Sequence, residues 1–319
     1  MPTECAGLLK VVPQQSLGEP KDGNVQVTVR SSRGLDGGNV TTQRSPIKKT
    51  WVALDIFCFL VASIPFLVCE INIIPPVRRG FFCNDSSISY PLQHVETISD
   101  LVLITVGVLI AALMIILGES FRVHNLPQGS RSTVPNPYVV ALYKEVGAFL
   151  FGCTVGQSLT NVAKTAVGRL RPYFLAACQP NLTHFNCKDG YLEDYVCTGG
   201  ASLEREARKS FYSGHASFAM YTMMYLVFYL QARFTWQGAR TLRPLVQFVL
   251  LMLAIYTGLT RISDYRHHPS DVVVGLLQGA VVAYWVAFHV SSMFQDKYQL
   301  PHLPPSSKIT PRSDDHTNC

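Results

Sequence analysis

The chain has 319 residues, 48% hydrophobic and only 15% charged, with a formal net charge of +6. A soluble globular chain carries about 25% charged residues, so this one is too poor in solvating side chains to stand in water alone. Its apolar residues lie in long blocks rather than at amphipathic spacing, which points to a bilayer as the partner and gives no reason to expect nucleic acid.

Residues 1–46 are rich in Gly, Ser, Gln and Val without periodicity and read as a disordered cytosolic tail. No charged-then-apolar leader opens the chain, and Pro2 excludes N-myristoylation. The first apolar block is therefore expected to act as its own anchor. Six spans are predicted within a domain over 47–295, at 51–74, 101–117, 138–162, 213–230, 244–259 and 272–294. The second, "LVLITVGVLIAALMIIL", carries no charge at all. The third is interrupted by Lys144, Glu145, Gln157 and Asn161, polar groups that are costly in lipid and are expected to face protein or water. Lys144 and Glu145 are expected to pair with each other. Asp55 and Glu70 lie near the ends of the first span, where interfacial solvation accounts for them. After the last span, residues 296–319 read as a flexible cytosolic tail. The fold class is all-α, a six-transmembrane-helix bundle.

Orientation follows the basic residues of short loops. Arg44, Lys48 and Lys49 precede the first span, and Arg233, Arg240 and Arg243 lie between the fourth and fifth. Both regions are assigned to the cytosol, so the loops 75–100, 163–212 and 260–271 face the lumen or exterior. Cys83, Cys178, Cys187 and Cys197 fall in those loops, on the oxidising side. Four cysteines allow three pairings, and at least one bridge is expected within 178–197. Cys58, Cys69 and Cys153 read as free thiols. Sequons begin at Asn39, Asn84 and Asn181; Asn181, in a long outward loop, is the expected glycosylation site.

The loop 163–212 is basic although it faces outward, and its cations need a reason. "KTAVGRLRP" places Lys164 at the exit of the third span and Arg171 seven residues on. "FYSGHASF" places Ser213, Gly214 and His215 at the entrance of the fourth. "TRISDYRHHPSD" places Arg261, His267 and Asp271 between the fifth and sixth. Taken singly, each has a plain reading: an interfacial cation that snorkels, a turn into a helix, a polar pair tying two loops. Taken together, on one face, they suggest phosphoryl transfer. Three cations can surround the equatorial oxygens of a phosphate, Gly214 lets backbone N–H groups approach them, and a helix start attracts the anion. A histidine whose tautomer is fixed by a carboxylate can be a nucleophile, and Asp271 is spaced to partner either His267 or His268. His215 can protonate the leaving alkoxide. Asp264 is near enough in sequence to orient Arg261 or Arg266. No carboxylate cluster for Mg²⁺ is visible, and His267-His268 alone is a weak zinc signal, so no cofactor and no metal are expected.

These three stretches resemble the signature of the lipid phosphate phosphatases, within the type 2 phosphatidic acid phosphatase and haloperoxidase-like superfamily, and the likeness extends over about residues 48–295. The family pattern is Lys, six residues, Arg-Pro; Ser-Gly-His; and Arg, five residues, His, three residues, Asp. The resemblance implies a haloperoxidase-like phosphatase core with its active site at the luminal or extracellular helix ends. It further implies a phosphohistidine at His267 oriented by Asp271, acid catalysis by His215, and phosphate binding by Lys164, Arg171, Ser213, Gly214 and Arg261. Substrates implied are lysophosphatidate, phosphatidate, sphingosine 1-phosphate and ceramide 1-phosphate, hydrolysed at the plasma membrane without metal; homo-oligomers are a family expectation. Tyr212 stands where the broad superfamily has Pro, and Thr260 where Ser is usual. Residues 198–204, "TGGASLE", contain no Arg-Gly-Asp, so no integrin-adhesion role is expected. Three rivals stay open at this point: a relative that keeps the fold without the chemistry, a transporter whose anion site lies near the bilayer midplane, and a phosphatase of another monoester such as a sugar phosphate.

Overall fold

The computed structural model describes residues 49–124, 137–181, 187, 190–234 and 240–294. The two expected tails, Arg44, Lys48 and the sequon at Asn39 lie outside the described residues. Six long helices form the bundle: α1 (Lys49–Glu70), α2 (Asp100–His124), α3 (Pro137–Val167), α6 (Gly214–Arg233), α7 (Leu242–Ser263) and α8 (Pro269–Trp285), the last running on through a π-helical turn, Val286–Val290. Two short helices, α4 (Phe174–Cys178) and α5 (Ala201–Glu206), and a two-stranded antiparallel ladder, β1 (Phe81–Phe82) with β2 (Tyr191–Leu192), cap one end.

Five of the six long helices are long and apolar enough to cross a membrane. The exception, α6, is also the one that packs against α2, α3, α7 and α8 together. A helix walled in by protein has no need of a lipid-facing surface, so α6 can carry Ser217, Thr222, Tyr221, Tyr225 and Tyr229, all buried. Its 20 residues still measure about 30 Å, a full hydrocarbon thickness. On the outer wall the pattern reverses: α1 packs on α3 and leaves Trp51, Phe57, Leu60 and Ile64 exposed, as a lipid-facing helix should.

Contact between α6 and α8 is made by backbone. A methyl group on Gly279 would lie 2.3 Å from the Ser217 carbonyl oxygen, and one on Gly275 would lie 2.6 Å from that of Ser213. Small residues one turn apart let two membrane helices approach this closely.

The polar residues inside the spans find partners. Glu145 does not pair with Lys144, because adjacent helical residues point about 100° apart; Lys144 is exposed and Glu145 is buried. Glu145 instead meets Arg233 Nη2 at 2.9 Å and Ser291 Oγ at 2.7 Å, while Arg233 Nε lies 3.0 Å from Glu119. Asp55 accepts from the Tyr143 hydroxyl at 2.5 Å and Glu70 from Asn161 Nδ2 at 3.2 Å, so both acids tie α1 to α3 as well as facing outward.

The cap has its own small core of Phe81, Ile88, Tyr173, Phe174, Leu192 and Tyr195. Two disulfides staple it: Cys178–Cys197, the bridge expected inside 178–197, and Cys83–Cys187, which ties the segment before α2 to Cys187 between α4 and β2. Cys58, Cys69 and Cys153 are free.

Candidate functional site

Beneath the cap, α3 ends where α6 and α8 begin, and all eight signature residues stand at this end of the bundle. Lys164 occupies the last turn of α3. The chain then turns at Gly168, whose φ of +60° favours glycine and whose missing Cβ would otherwise lie 2.1 Å from the Val77 carbonyl oxygen. That turn sends residues 169–171 alongside 207–210, held by Arg171 N to Ala207 O (2.8 Å) and Ser210 N to Arg169 O (3.0 Å). Ser213 caps α6, its Oγ accepting from Ala216 N at 3.4 Å, and its own N–H donates to the Asp271 carbonyl at 3.1 Å. The heads of α6 and α8 are thereby joined. Gly214 leaves room for the Lys164 ammonium, whose Nζ would lie 3.3 Å from a Cβ there.

His267 is 3% exposed. Its Nδ1 lies 2.7 Å from the Ser210 carbonyl oxygen, which can only accept, so Nδ1 carries the proton and Nε2 keeps a free lone pair. Asp271 stands farther off, Oδ2 to Nδ1 3.9 Å, because its oxygens are already engaged. Oδ1 accepts from Arg169 Nη1 at 2.6 Å, and Oδ2 accepts from Ser210 Oγ at 2.6 Å and from His268 N at 3.2 Å. The carboxylate thus steadies Ser210, and Ser210 holds the imidazole. The neighbouring His268 meets the Leu170 carbonyl at 3.0 Å and belongs to the wall of the site.

Charge and burial set the protonation of these groups. Burial first, then the Arg171 and Lys164 cations, hold His267 well below its ordinary value near 6.5, against the opposing pull of the Ser210 carbonyl. The imidazole is neutral at physiological pH. Arg171 pairs with Glu206; burial alone would favour the neutral form of each, and their mutual attraction outweighs it, raising the arginine and lowering the glutamate.

On the other flank, every face of the Arg261 guanidinium is occupied. Nη1 donates to Glu96 Oε2 at 2.9 Å, Nη2 to Asp264 Oδ2 at 2.9 Å and Nε to Thr260 Oγ1 at 3.3 Å. Between the two residues open to it in the sequence, Asp264 orients Arg261. His215 lies 3.3 Å from Arg261 Nη1 through Nε2, which is also 3.1 Å from the Ile98 carbonyl; its Nδ1 is 3.5 Å from Asp100. Arg171 Nε and Arg266 Nε are buried donors with no hydrogen-bond partner among the described residues. Such donors are rare in native proteins and suit a site that receives an anion.

Five contributors are not evident in the three motifs: Glu96, Asp100, Arg169, Glu206 and the carbonyl of Ser210. Arg169 does lie inside "KTAVGRLRP", and Ser210 three residues before Ser213, so proximity to a motif was the available signal. Glu96 is more than 160 residues from Arg261 in the chain and carries none. Among the described residues no group of three or more His, Cys, Asp or Glu could hold a metal ion.

Residues 145–294 match the family described as the PAP2 superfamily. The chain is 48% identical over 248 residues to phospholipid phosphatase 1 of Mus musculus, covering 78% of this chain and 87% of that protein. It is 45% identical over 273 residues to phospholipid phosphatase 2 of Mus musculus (83% and 98%) and 46% identical over 251 residues to phospholipid phosphatase 2 of Homo sapiens (78% and 86%). No solved structure matches.

Proposed function

The chain belongs to the PAP2 superfamily and is a multi-pass membrane lipid phosphate phosphatase, and from that premise we propose that it works through a phosphohistidine at His267. The observation that carries this reading is the Ser210 carbonyl at 2.7 Å from Nδ1, which leaves Nε2 as an unprotonated nucleophile. Nε2 attacks phosphorus while the bond from phosphorus to the lipid oxygen breaks. His215 gives its proton to the departing alkoxide, and the lipid alcohol leaves. Water then attacks the phosphohistidine, passing a proton to His215, the nitrogen–phosphorus bond breaks, and orthophosphate is released. Lys164, Arg171, Arg261, Ser213 and the Gly214 N–H at the head of α6 stabilise the equatorial oxygens. With that much fixed positive charge, the reaction needs no metal.

The substrates proposed are lipid monoesters of the lysophosphatidate, phosphatidate, sphingosine 1-phosphate and ceramide 1-phosphate class. Their phosphates sit at the headgroup plane, the level of a pocket built from helix ends. A site on the non-cytosolic side, at the plasma membrane or facing the lumen of internal membranes, is supported by the two disulfides in the cap, bonds that persist in oxidising compartments, and by Arg233, Arg240 and Arg243 at the other end. Glycosylation at Asn181 belongs to the same orientation.

The test is hydrolysis of a lipid monophosphate by membranes in EDTA. His267→Gln is expected to lose at least about 10³-fold and to trap no labelled phosphate in an acid-labile bond. Asp271→Asn, with the tautomer still fixed by Ser210, is expected to lose about 10- to 100-fold, less than the roughly 10⁴-fold seen when a carboxylate holds the imidazole directly. Activity surviving His267→Gln, or requiring added Mg²⁺, overturns the mechanism.

A further inference from the structure

The two arginines assigned to phosphate are each met by a carboxylate from a separate loop. Glu96, between β1 and α2, spans two cations: Oε2 takes Arg261 Nη1 at 2.9 Å and Oε1 takes Arg266 Nη2 at 3.1 Å. Glu206, the last residue of α5, takes Arg171. The arginines are deeply buried, with side chains 1% exposed for Arg261 and 7% for Arg171, whereas the glutamates are 27% and 46% exposed. The cations are thus fixed, whereas the carboxylates are the more exposed partners, and a change of rotamer carries each toward water.

Contrast this with Asp264, which also binds Arg261. Asp264 is 7% exposed and is held by Thr97 N at 2.9 Å and Thr97 Oγ1 at 2.7 Å. Its carboxylate is built in and orients the guanidinium. Among the described residues Glu96 and Glu206 have no hydrogen bonds beyond those arginines that would hold them in place. A phosphate dianion offers what they offer, oxygen pairs for a guanidinium fork, with more charge. It also supplies acceptors for Arg171 Nε, which the glutamate leaves unpartnered.

We propose that Glu96 and Glu206 are resident counter-anions of the phosphate site, which substrate phosphate displaces and which return as orthophosphate departs. This rests on the reading of Arg171 and Arg261 as phosphate ligands. Substrate binding is then an exchange of anions rather than the filling of a bare cationic pocket. The returning carboxylates weaken the hold on orthophosphate, the one product that carries the same charge as the substrate's reacting group. Glu96 and Glu206 are positioning residues that act through the arginines; neither takes part in bond making.

The experiment uses the full-length protein in detergent–lipid micelles, with inorganic phosphate as the probe and its competitive Ki against a lipid monophosphate as the readout. Glu96→Gln and Glu206→Gln keep shape and remove charge. Each is expected to lower the Ki for phosphate about two- to fivefold, the range of one partly exposed ion pair, and the double variant by about the product. KM should fall with Ki, while kcat falls as orthophosphate release slows. A purely structural role would instead raise Ki and KM, since a loosened arginine binds phosphate less well; that result, or an unchanged Ki, overturns the proposal. Thermal unfolding of each variant checks that the fold is kept, and Glu96→Ala and Glu206→Ala, whose side chains cannot accept a hydrogen bond from the arginines, must shift Ki in the same direction. If phosphate does not compete with substrate in the wild-type protein, or Arg171→Gln and Arg261→Gln leave its Ki unchanged, it is the assignment of the arginines that fails.

Discussion

Ser210 holds two groups at once: its carbonyl takes the His267 Nδ1 proton at 2.7 Å and its hydroxyl donates to Asp271 at 2.6 Å. The eight signature residues were legible because each stands at a set spacing in the sequence. Ser210 was not, since the group that matters is a backbone carbonyl that any residue carries. Glu96 and Glu206 were invisible for a different reason: their partners are brought near only by the fold. The buried imidazole has a measurable consequence. Below its ordinary value near 6.5 an unfolded chain protonates this histidine and the folded chain, held well below that value, does not. The unfolded state then binds more protons, so stability falls as pH drops through that window and is insensitive to this group above it. Thermal unfolding measured from about pH 5 to about pH 8 is expected to show Tm falling on the acid side, with a shallower fall in His267→Gln. Equal slopes in the two proteins would show that no proton linkage resides at His267.

At the level of elements, all six spans were read from the sequence, although five are long and apolar enough to cross a membrane and α6 is the more polar one. The polar content of α6 makes sense only once its neighbours are known, and sequence periodicity does not name neighbours. Helix ends were also short of the structure: α2 runs to His124 and α3 to Val167, because charged residues such as Glu119 and Lys164 stay helical where protein rather than lipid surrounds them. Gly275 and Gly279 form a small-residue seam against α6, and the spacing alone does not say which helix it meets. Gly279→Ala forces the two backbones apart and is expected to cost about 1–3 kcal/mol, read as a lowered Tm. Gly147, with nothing within 4 Å of an added Cβ, is the control: Gly147→Ala should be neutral or stabilising by up to about 1 kcal/mol. Equivalent effects at the two positions would refute the seam.

Across the whole molecule, polar chemistry is gathered at two ends separated along α3 by roughly 30 Å of helix. One end is the proposed phosphate site; at the other, Arg233 bridges Glu119 and Glu145, both 1% exposed. Removing one member of a buried ionic set leaves charge uncompensated, so Arg233→Leu is expected to destabilise by about 3–5 kcal/mol. Because that end is remote from His267, turnover per folded molecule should stay within about twofold, even as yield and Tm drop. A large loss of kcat in the surviving folded fraction would mean the two ends communicate.

Cys83 and Cys187 are 104 residues apart, with α2 and α3 between them. During synthesis the first thiol is made and must wait, through two membrane crossings, before its partner exists. Cys178 appears in that interval, ahead of both Cys187 and its own mate Cys197, and is the earliest wrong choice on offer. Correct stapling of the cap therefore reports that the third crossing has been completed, which makes the oxidation state of four cysteines a record of how far assembly has gone.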